Sequence, residues 1–352
     1  MIVDIHAHYV SPDLIAEARN NGAAYGVSVD TVDGGLDRLT FLHSGAALRP
    51  FLGELCDLPG RLPYLDGLDV DHQAVSAWTD MSGDDLSPEQ GARWARLQNE
   101  TLAADTGAPG GRFEAMGTLP MQTVEGAINE LDHIVKRLGM RSIEMGTHAN
   151  GRELDHPDFR RLWKRLAELD VFVLLHPPFK PVGLDRVGDY FLNNLISYPV
   201  DTTIAAARLV FSGIMAELPE LKICLAHGGG FLPYQIGRFD RGFAAHPACK
   251  MTITRPPLDF LRSFYFDTLT HNTAALDYLC ATVGADRLVY GSDYPFEMLD
   301  ESGPSRVRAM KEMSNSDLAA ILGSTSRRLL GEGLGATVET GLKPRSGGAN
   351  SL

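Results

Sequence analysis

Eight short apolar runs recur along this 352-residue chain, and segments with the apolar spacing of amphipathic helices lie between them. This alternation is typical of parallel βα units, and eight such units predict an α/β fold of the (β/α)8 TIM-barrel type. A doubly wound sheet is the competing architecture. The predicted strands are Ile2–Ile5, Gln73–Ala77, Glu114–Thr118, Ser142–Glu144, Val171–Leu175, Lys222–Leu225, Phe264–Asp267 and Leu288–Tyr290.

Three stretches do not follow the alternation. Residues 9–65 form a long insertion after strand one, which we expect to be a subdomain or lid over the barrel mouth. A second insertion, Lys180–Ser197, follows strand five. Residues 332–352 are rich in glycine and polar residues, which is typical of a flexible tail. The sequence therefore predicts a barrel over residues 1–331, with its main insertion at about 9–65, and a flexible C-terminal tail over residues 332–352.

The net charge and the spacing of the cysteines argue against certain binding partners and against an oxidising compartment. The formal net charge of −13 argues against nucleic acid or an anionic membrane surface as the main partner. The four cysteines are widely spaced and form no Cys-x-x-Cys motif, which indicates free thiols in a reducing compartment. The sequence has neither the pattern of a signal peptide nor an apolar run of membrane-spanning length. We therefore expect a cytoplasmic protein.

Histidines and an aspartate lie where the predicted strands end. His6 and His8 are two residues apart, so an extended strand presents both imidazoles on one face. His176, His227 and Asp293 follow strands five, six and eight. The carboxyl ends of the strands of a (β/α)8 barrel meet at one face, so these five side chains are expected to converge. The sequence therefore predicts a metal site there.

The chemistry of the side chains divides their roles. Three imidazoles (His6, His8, His176) and one carboxylate (Asp293) suffice to hold one zinc ion and leave room for water. Zinc lowers the pKa of such a water towards neutrality. His227 is either a further ligand or, as we favour, an acid/base beside the metal, because histidine titrates near neutral pH. The glycines at 228–230 form a tight turn or allow close backbone approach.

These motifs together resemble the amidohydrolase superfamily, and within it the decarboxylase branch that α-amino-β-carboxymuconate-ε-semialdehyde decarboxylase typifies. The resemblance extends over most of the chain, from Val3 to about Leu330. The motifs that carry it are His6-Ala-His8, Leu175-His176-Pro177, His227-Gly-Gly-Gly230 and Gly291-Ser-Asp293-Tyr-Pro-Phe296.

The resemblance implies one zinc ion per subunit, held by His6, His8, His176 and Asp293, with Mn2+ as an alternative metal. It also implies that His227 activates metal-bound water or delivers a proton. Binuclear members carry a bridging lysine at the end of strand four, where this chain has Glu144. Glu144 either bridges a second metal or makes a polar contact or ion pair inside the barrel.

Two arginines resemble substrate-binding residues of the decarboxylase. Arg49 lies in the first insertion, and Arg238 corresponds to an arginine that reaches a neighbouring subunit's active site. Guanidinium groups bind carboxylates through paired hydrogen bonds, so two of them suit a small-molecule substrate with two acidic groups. The alternatives are a solvated loop position for Arg49 and an ion pair with Asp240 for Arg238. An Arg238 that acts across an interface predicts a homodimer or a higher homo-oligomer.

The sequence thus predicts a zinc-dependent, non-oxidative decarboxylase of a small unsaturated or aromatic carboxylic acid. Its catalytic residues are His227 and Asp293, and zinc either activates water or chelates the substrate directly. The main alternative is a zinc-dependent hydrolase or hydratase that uses the same site on a ring-fission product. A non-enzymatic barrel is the rival from another class. Further candidates for ligand contact are His148, His271, Tyr9, Trp78, Phe179, Tyr190, Tyr294 and Phe296.

Overall fold

The computed structural model describes residues 1–107, 111–149, 151–178 and 180–331. All eight predicted barrel strands are present and pair in parallel, in the order β1-β4-β5 in one sheet and β6-β9-β10-β11-β12 in the other. The strands are β1 (Val3–His8), β2 (Val27–Thr31), β3 (Asp37–Phe41), β4 (His72–Ser76), β5 (Phe113–Met116), β6 (Ser142–Gly146), β7 (His148–Ala149), β8 (Arg152–Glu153), β9 (Phe172–His176), β10 (Lys222–Leu225), β11 (Phe264–Asp267) and β12 (Leu288–Val289).

Two parallel bridges join these sheets into a ring. Gly117, just after β5, pairs with Ile143 of β6, and Ala7 of β1 pairs with Tyr294 beyond β12. Backbone hydrogen bonds support the second junction, including one of 3.0 Å from the N–H of Ile5 to the carbonyl of Tyr290. The predicted barrel is confirmed, and a doubly wound open sheet is excluded.

Helices surround the ring because their apolar residues recur on one face. In the fifth helix the buried residues Leu162, Trp163 and Leu166 follow helical spacing. Side chains that accept backbone N–H groups begin several helices, such as Ser87 and Thr123. The helices are α1 (Pro12–Asn21), α2 (Leu62–Gly67), α3 (Pro88–Thr106), α4 (Val124–Lys136), α5 (Arg160–Glu168), α6 (Tyr198–Phe211), α7 (Ile214–Glu217), α8 (Leu232–Ala245), α9 (Leu258–Leu261), α10 (Thr273–Val283), α11 (Pro304–Arg308), α12 (Asn315–Ala319) and α13 (Thr325–Leu330).

The interior of the ring is filled with side chains. A buried apolar cluster includes Val3 and Ile5 of β1 and Phe172 and Leu174 of β9. Leu329 and its neighbour Leu330, at the end of α13, join the same cluster. The chain thereby closes the end of the barrel opposite the strand carboxyl ends, and the polar site is confined to the other end.

The first insertion folds around its own apolar cluster. It contains α1 and the antiparallel hairpin β2–β3, which the strand prediction had not included. Leu39 and Phe51 of this insertion share a buried cluster with Trp78 and Phe296, which lie after β4 and β12. The insertion is therefore packed against the carboxyl-end face of the barrel. A second small hairpin, β7–β8, also lies outside the predicted strands.

Three further predictions concern cysteines, membrane spans and the tail. All four cysteines lie within the described residues and are free thiols. Among the described helices, none has both the length and the apolar character that a bilayer crossing requires. The predicted tail over residues 332–352 lies outside the described residues, as does Phe179.

A carboxyl group inside the barrel generates a test of stability. Glu114 of β5 lies two residues before Met116, which belongs to the interior cluster, so both side chains point inwards. Burial raises the pKa of Glu114 from 4.5 to about 7. The folded state therefore keeps this proton at pH values where the unfolded chain loses it. Stability due to this group falls as pH rises from about 4.5 to 7 and stays low above that range.

We expect Glu114→Gln to raise the free energy of unfolding at pH 8 by up to about 3 kcal/mol, with little effect at pH 4.5. Denaturant unfolding at the two pH values measures this difference. Glu220→Gln, at an exposed position, is the matched control. An equal effect of Glu114→Gln at both pH values would contradict the assignment.

Candidate metal centre

Four buried side chains meet at the carboxyl ends of the strands. His6 and His8 lie within β1, which extends beyond the predicted Ile2–Ile5, and His176 is the last residue of β9. Asp293 follows β12 in a left-handed backbone conformation with φ of 60°. Each residue offers one ligand atom, and these atoms lie within 4.8 Å of one another. The structure thus brings together the four side chains predicted to bind metal.

The donor atoms fit a divalent cation. The Nε2 atoms of His6 and His8 and the Oδ1 atom of Asp293 are buried and have no hydrogen-bond partner among the described residues. Asp293 Oδ1 lies 3.6 Å from His6 Nε2 and 3.2 Å from His8 Nε2, so the three atoms face a common point. Unsatisfied polar atoms are costly in a protein interior, and a metal ion satisfies all of them at once. Nitrogen and carboxylate donors in this number match zinc and similar metals.

Asp267, the last residue of β11, orients His6. Its Oδ2 atom accepts a hydrogen bond of 2.8 Å from Nδ1 of His6, which leaves Nε2 directed towards the cluster. The same carboxylate accepts the backbone N–H groups of His227 at 2.9 Å and Gly228 at 2.7 Å. Asp267 therefore fixes both a ligand candidate and the loop after β10.

Glu144 and two hydroxyl groups support the other histidines. The oxygens of Glu144 accept hydrogen bonds from Ser76 and Thr79, and one oxygen lies 3.6 Å from Nδ1 of His8. Nδ1 of His176 lies 2.9 Å from the Thr79 hydroxyl. Glu144 thus makes the polar contact inside the barrel that was one of its two predicted roles.

The electrostatic surroundings favour positive charge at the centre of the cluster. Burial lowers the pKa of His6, but its hydrogen bond to Asp267 and the charges of Asp293 and Glu144 outweigh burial and raise the pKa to about 9. Burial opposes ionisation of Asp293, yet the neighbouring imidazoles of His227 and His8 hold its pKa well below the usual range. Burial and the neighbouring imidazoles lower the pKa of His176, which keeps it neutral and able to bind metal.

His227 lies beside the four residues and is not one of them. Its Nε2 atom is 3.7 Å from Oδ2 of Asp293, and its ring stacks on Tyr198 with ring centres 6.5 Å apart. The backbone of His227 is left-handed, with φ of 56°, and Gly228 and Gly230 continue the turn with positive φ. A Cβ atom on Gly230 would lie 2.1 Å from the carbonyl oxygen of Pro199, so the turn packs closely there. This position suits an acid/base role beside a metal.

A cavity of about 190 Å³, hereafter the metal-side cavity, connects the cluster to Arg49. The guanidinium of Arg49 lies 4.6 Å from the ring centre of Phe296 and 5.2 Å from that of Trp78. Its Nη1 atom contacts both carboxylate oxygens of Glu297, at 2.8 and 2.9 Å. The cavity is lined by Arg49, Trp78, Asp80, His176, Phe191, Asn193, Asn194, Tyr198, His227, Asp293, Phe296, Glu297 and Met298.

Arg238 does not line the metal-side cavity of its own chain. It is exposed on α8, as is Tyr234 of the same helix, and Phe231 just before the helix is exposed too. These two aromatic residues, together with His227 and His271, line a neighbouring apolar cavity of about 650 Å³. The structure of one chain therefore places only one of the two predicted arginines at the site.

The other candidate residues have mainly structural positions. His148 lies 3.0 Å from the carbonyl of Lys180 and 3.6 Å from Asp201, so it holds the second insertion. The hydroxyl of Tyr9 donates to Asp105 at 2.8 Å, and the ring of Tyr294 lies between Tyr64 and Arg61. Tyr190 is 88% exposed. Trp78 and Phe296 are the predicted aromatic residues that contact the metal-side cavity.

Sequence reasoning missed two carboxylates of the site. Asp267 ends the apolar run Phe264–Phe266. An acidic residue at the carboxyl end of a barrel strand indicates a site residue, so the sequence could have identified it. Asp80 lies in the 3₁₀ turn Thr79–Met81 after β4 and lines the metal-side cavity. Its turn has no motif of its own, so nothing in the sequence distinguished it from other surface aspartates.

A protein-family model described as amidohydrolase matches residues 3–331 of this chain. The chain belongs to the amidohydrolase family. The family prediction is thereby confirmed.

Amidohydrolase relatives of this chain include decarboxylases. A 2-amino-3-carboxymuconate-6-semialdehyde decarboxylase from Dictyostelium discoideum is 33% identical over 272 residues, covering 77% of this chain and 76% of the relative. A gamma-resorcylate decarboxylase from Polaromonas is 31% identical over 225 residues, covering 59% of this chain and 68% of the relative. These relatives place this amidohydrolase on the predicted decarboxylase branch.

Solved structures support the fold. The crystal structure of a dihydroxybenzoic acid decarboxylase from Polaromonas, with bound manganese and the inhibitor 2-nitroresorcinol, superimposes with a TM-score of 0.76. The two chains are 23% identical, and the match covers 94% of this amidohydrolase and 96% of that chain.

The hydrogen bonds of Asp267 generate a prediction about metal affinity. Both oxygens of Asp267 accept hydrogen bonds from N–H groups. In Asp267→Asn one of these oxygens becomes an NH2 group, which cannot accept and faces another donor. We expect this variant to bind Zn2+ about 10- to 100-fold more weakly, because the orientation of His6 is lost. Competition with a chelator of known affinity measures the change, with Asp13→Asn at an exposed position as control. Unchanged affinity would show that Asp267 does not orient His6.

Proposed function

We propose that this amidohydrolase is a zinc-dependent, non-oxidative decarboxylase of a small aromatic or unsaturated carboxylic acid. The observation that carries the proposal is the metal-side cavity. His176 and Asp293 of the metal cluster line it together with the proton carrier His227 and the cation Arg49. The decarboxylase relatives support the reaction type.

Arg49 is proposed to bind a carboxylate of the substrate. Trp78 and Phe296 hold its guanidinium on either side of the cavity. Glu297 accepts hydrogen bonds from Nη1 alone, so the other N–H groups of the planar guanidinium are proposed to bind a ligand carboxylate. The aromatic rings also suit a planar conjugated substrate, because flat rings pack well against one another.

His227 is proposed to deliver the proton that replaces the leaving carboxylate. When the C–C bond to the carboxylate breaks, its electron pair stays on the substrate carbon, and that carbon must take up a proton. Nε2 of His227 lies 3.7 Å from Oδ2 of Asp293, which places the imidazole beside the metal cluster. The stacked ring of Tyr198 holds the imidazole at the cavity wall.

Zinc is proposed as the metal, with His6, His8, His176 and Asp293 as its ligands. Three imidazoles and one carboxylate match the ligand preference of zinc, and manganese is the alternative. A bound divalent cation supplies positive charge that orients substrate oxygens and stabilises the negative charge developing on them.

The test is CO2 release by metal-loaded protein from dihydroxybenzoates, carboxylated catechols and muconate semialdehydes. We expect CO2 with at least one acid, and loss of activity on chelation that added Zn2+ restores. Carboxylic acid fragments without CO2 would instead identify a hydrolase. Purified protein with less than half an equivalent of metal and activity that survives chelation would contradict metal dependence.

His227→Ala is the matched variant for this test. It is expected to keep its metal content and to lose at least about 100-fold in kcat, because general acid–base catalysis contributes on that order. Loss of metal from the variant would identify His227 as a ligand.

Arg238 is proposed to complete the active site of a second subunit in a homodimer. It is exposed on α8, close to the exposed rings of Phe231 and Tyr234, which are suited to an interface. In this arrangement each site uses His227 of one chain and Arg238 of the other.

Mixing inactive His227→Ala and Arg238→Ala proteins under conditions of subunit exchange tests this arrangement. One intact site forms in each mixed dimer, so about a quarter of wild-type activity is expected at equal amounts. Mixing His227→Ala with Arg49→Ala is the control, because both residues line the site of the same chain. A mixed dimer of these two variants restores an intact site only if Arg49 also acts across the interface. No recovery in the first mixture would place Arg238 outside the catalytic machinery of a neighbour.

A further inference from the structure

Asp80 is a carboxyl group with an unusual place at the site. It lies in the turn Thr79–Met81, whose first residue contacts both Glu144 and His176. Its side chain lines the metal-side cavity on one side and a second cavity of about 360 Å³ on the other. The turn therefore directs a carboxyl group into the space where a substrate would bind.

The bonding of the Asp80 carboxyl group is unusual for a partly buried acid. Among the described residues it makes neither a hydrogen bond nor an ion pair, and the nearby cation Arg49 is already paired with Glu297. Burial raises the pKa of Asp80 to about 7 against the opposing charge of Arg49. A partly buried carboxyl group without partners costs folding stability, so a role in binding a ligand accounts for its presence better than a structural role.

The chemistry of the cavity indicates which part of a substrate Asp80 contacts. Arg49 and the metal cluster attract the carboxylate of an acid, whereas Asp80 would repel it. A hydrogen-bond donor elsewhere on the same molecule would instead satisfy Asp80. The other acidic groups are committed, since Glu297 is paired with Arg49 and Asp293 with the histidines.

We propose that Asp80 accepts a hydrogen bond from a hydroxyl or amino group of the substrate and so selects acids that carry such a donor. The proposal rests on the function proposed above and adds a specificity-determining residue to it. A hydrogen bond to a carboxylate in a partly buried site discriminates by about tenfold or more against a ligand without the donor.

The experiment compares binding of benzoate with that of the three hydroxybenzoates and the three aminobenzoates. Titration calorimetry on Zn2+-loaded protein measures each Kd for the wild type, Asp80→Val and Asp80→Asn. At least one hydroxybenzoate or aminobenzoate should bind to the wild type about tenfold more tightly than benzoate does. Asp80→Val should lose this gain while its affinity for benzoate stays within about twofold. Asp80→Asn keeps an acceptor oxygen and should restore part of the gain.

Asp85→Val is the matched control. Asp85 lines the second cavity and not the metal-side cavity, so the same substitution there should leave the preference unchanged. Thermal unfolding and metal content are measured in parallel. Because Asp80 is unpartnered, its valine variant should have a Tm at or above that of the wild type, whereas a structural role would lower the Tm.

Three results would overturn the role of Asp80. The first is that the wild type binds no hydroxybenzoate or aminobenzoate more tightly than benzoate. The second is that Asp80→Val keeps the wild-type preference. The third is that Asp80→Val loses affinity equally for benzoate and for its substituted forms. Failure of the proposed function is separate. Donor-selective binding that depends on Asp80, without CO2 release from any acid, would refute decarboxylation and leave Asp80 as the selecting residue.

Discussion

The carboxylate of Asp267 is the interaction on which the site depends. It lies at the end of β11 and accepts hydrogen bonds from the side chain of His6 and from the backbone of His227, Gly228 and Leu269. One buried group therefore sets the orientation of a metal-ligand candidate and the course of the loop that carries the proton carrier. Burial opposes its charge, but these hydrogen bonds keep its pKa below the usual value. The strand, the loop and the ligand set are in this way parts of one network.

A second buried network holds β1 in the ring. Asp4 accepts hydrogen bonds from Gln73 at 2.8 Å and from the hydroxyl of Ser292 at 2.6 Å. The amide of Gln73 in turn accepts one from Arg61, a fully buried arginine that also donates to the carbonyls of His8 at 2.9 Å and Glu54 at 3.1 Å. Charges of opposite sign are thus connected through a neutral amide, which limits the cost of their burial. The histidines of β1 are held from both sides.

The sequence predicted the parts of this protein that follow from local pattern. All eight barrel strands and the residues of the metal cluster could be recognised, because apolar runs alternate with helices and strand-terminal histidines are uncommon in a packed core. The hairpin β2–β3 was not predicted, although Val27–Thr31 and Asp37–Phe41 both alternate apolar and polar residues, because both strands are short and lie in an insertion that does not follow the pattern of βα units. Asp80 and the pairing of Arg49 with Glu297 depend on loops that meet only in the folded chain. Long-range contacts of this kind leave no spacing rule in a single sequence.

The junction between the first and last strands has a consequence for how the protein is made. β1 begins at residue 3, while its partner segment at Tyr290–Tyr294 lies far along the chain. The ring therefore cannot close, and His6 and His8 cannot meet Asp293, until the segment that carries Asp293 has left the ribosome. Contacts of such sequence separation form late in folding. Complete coordination of a metal ion is thus possible only once the chain extends past Asp293, and a product that ends before that residue lacks the four-residue set.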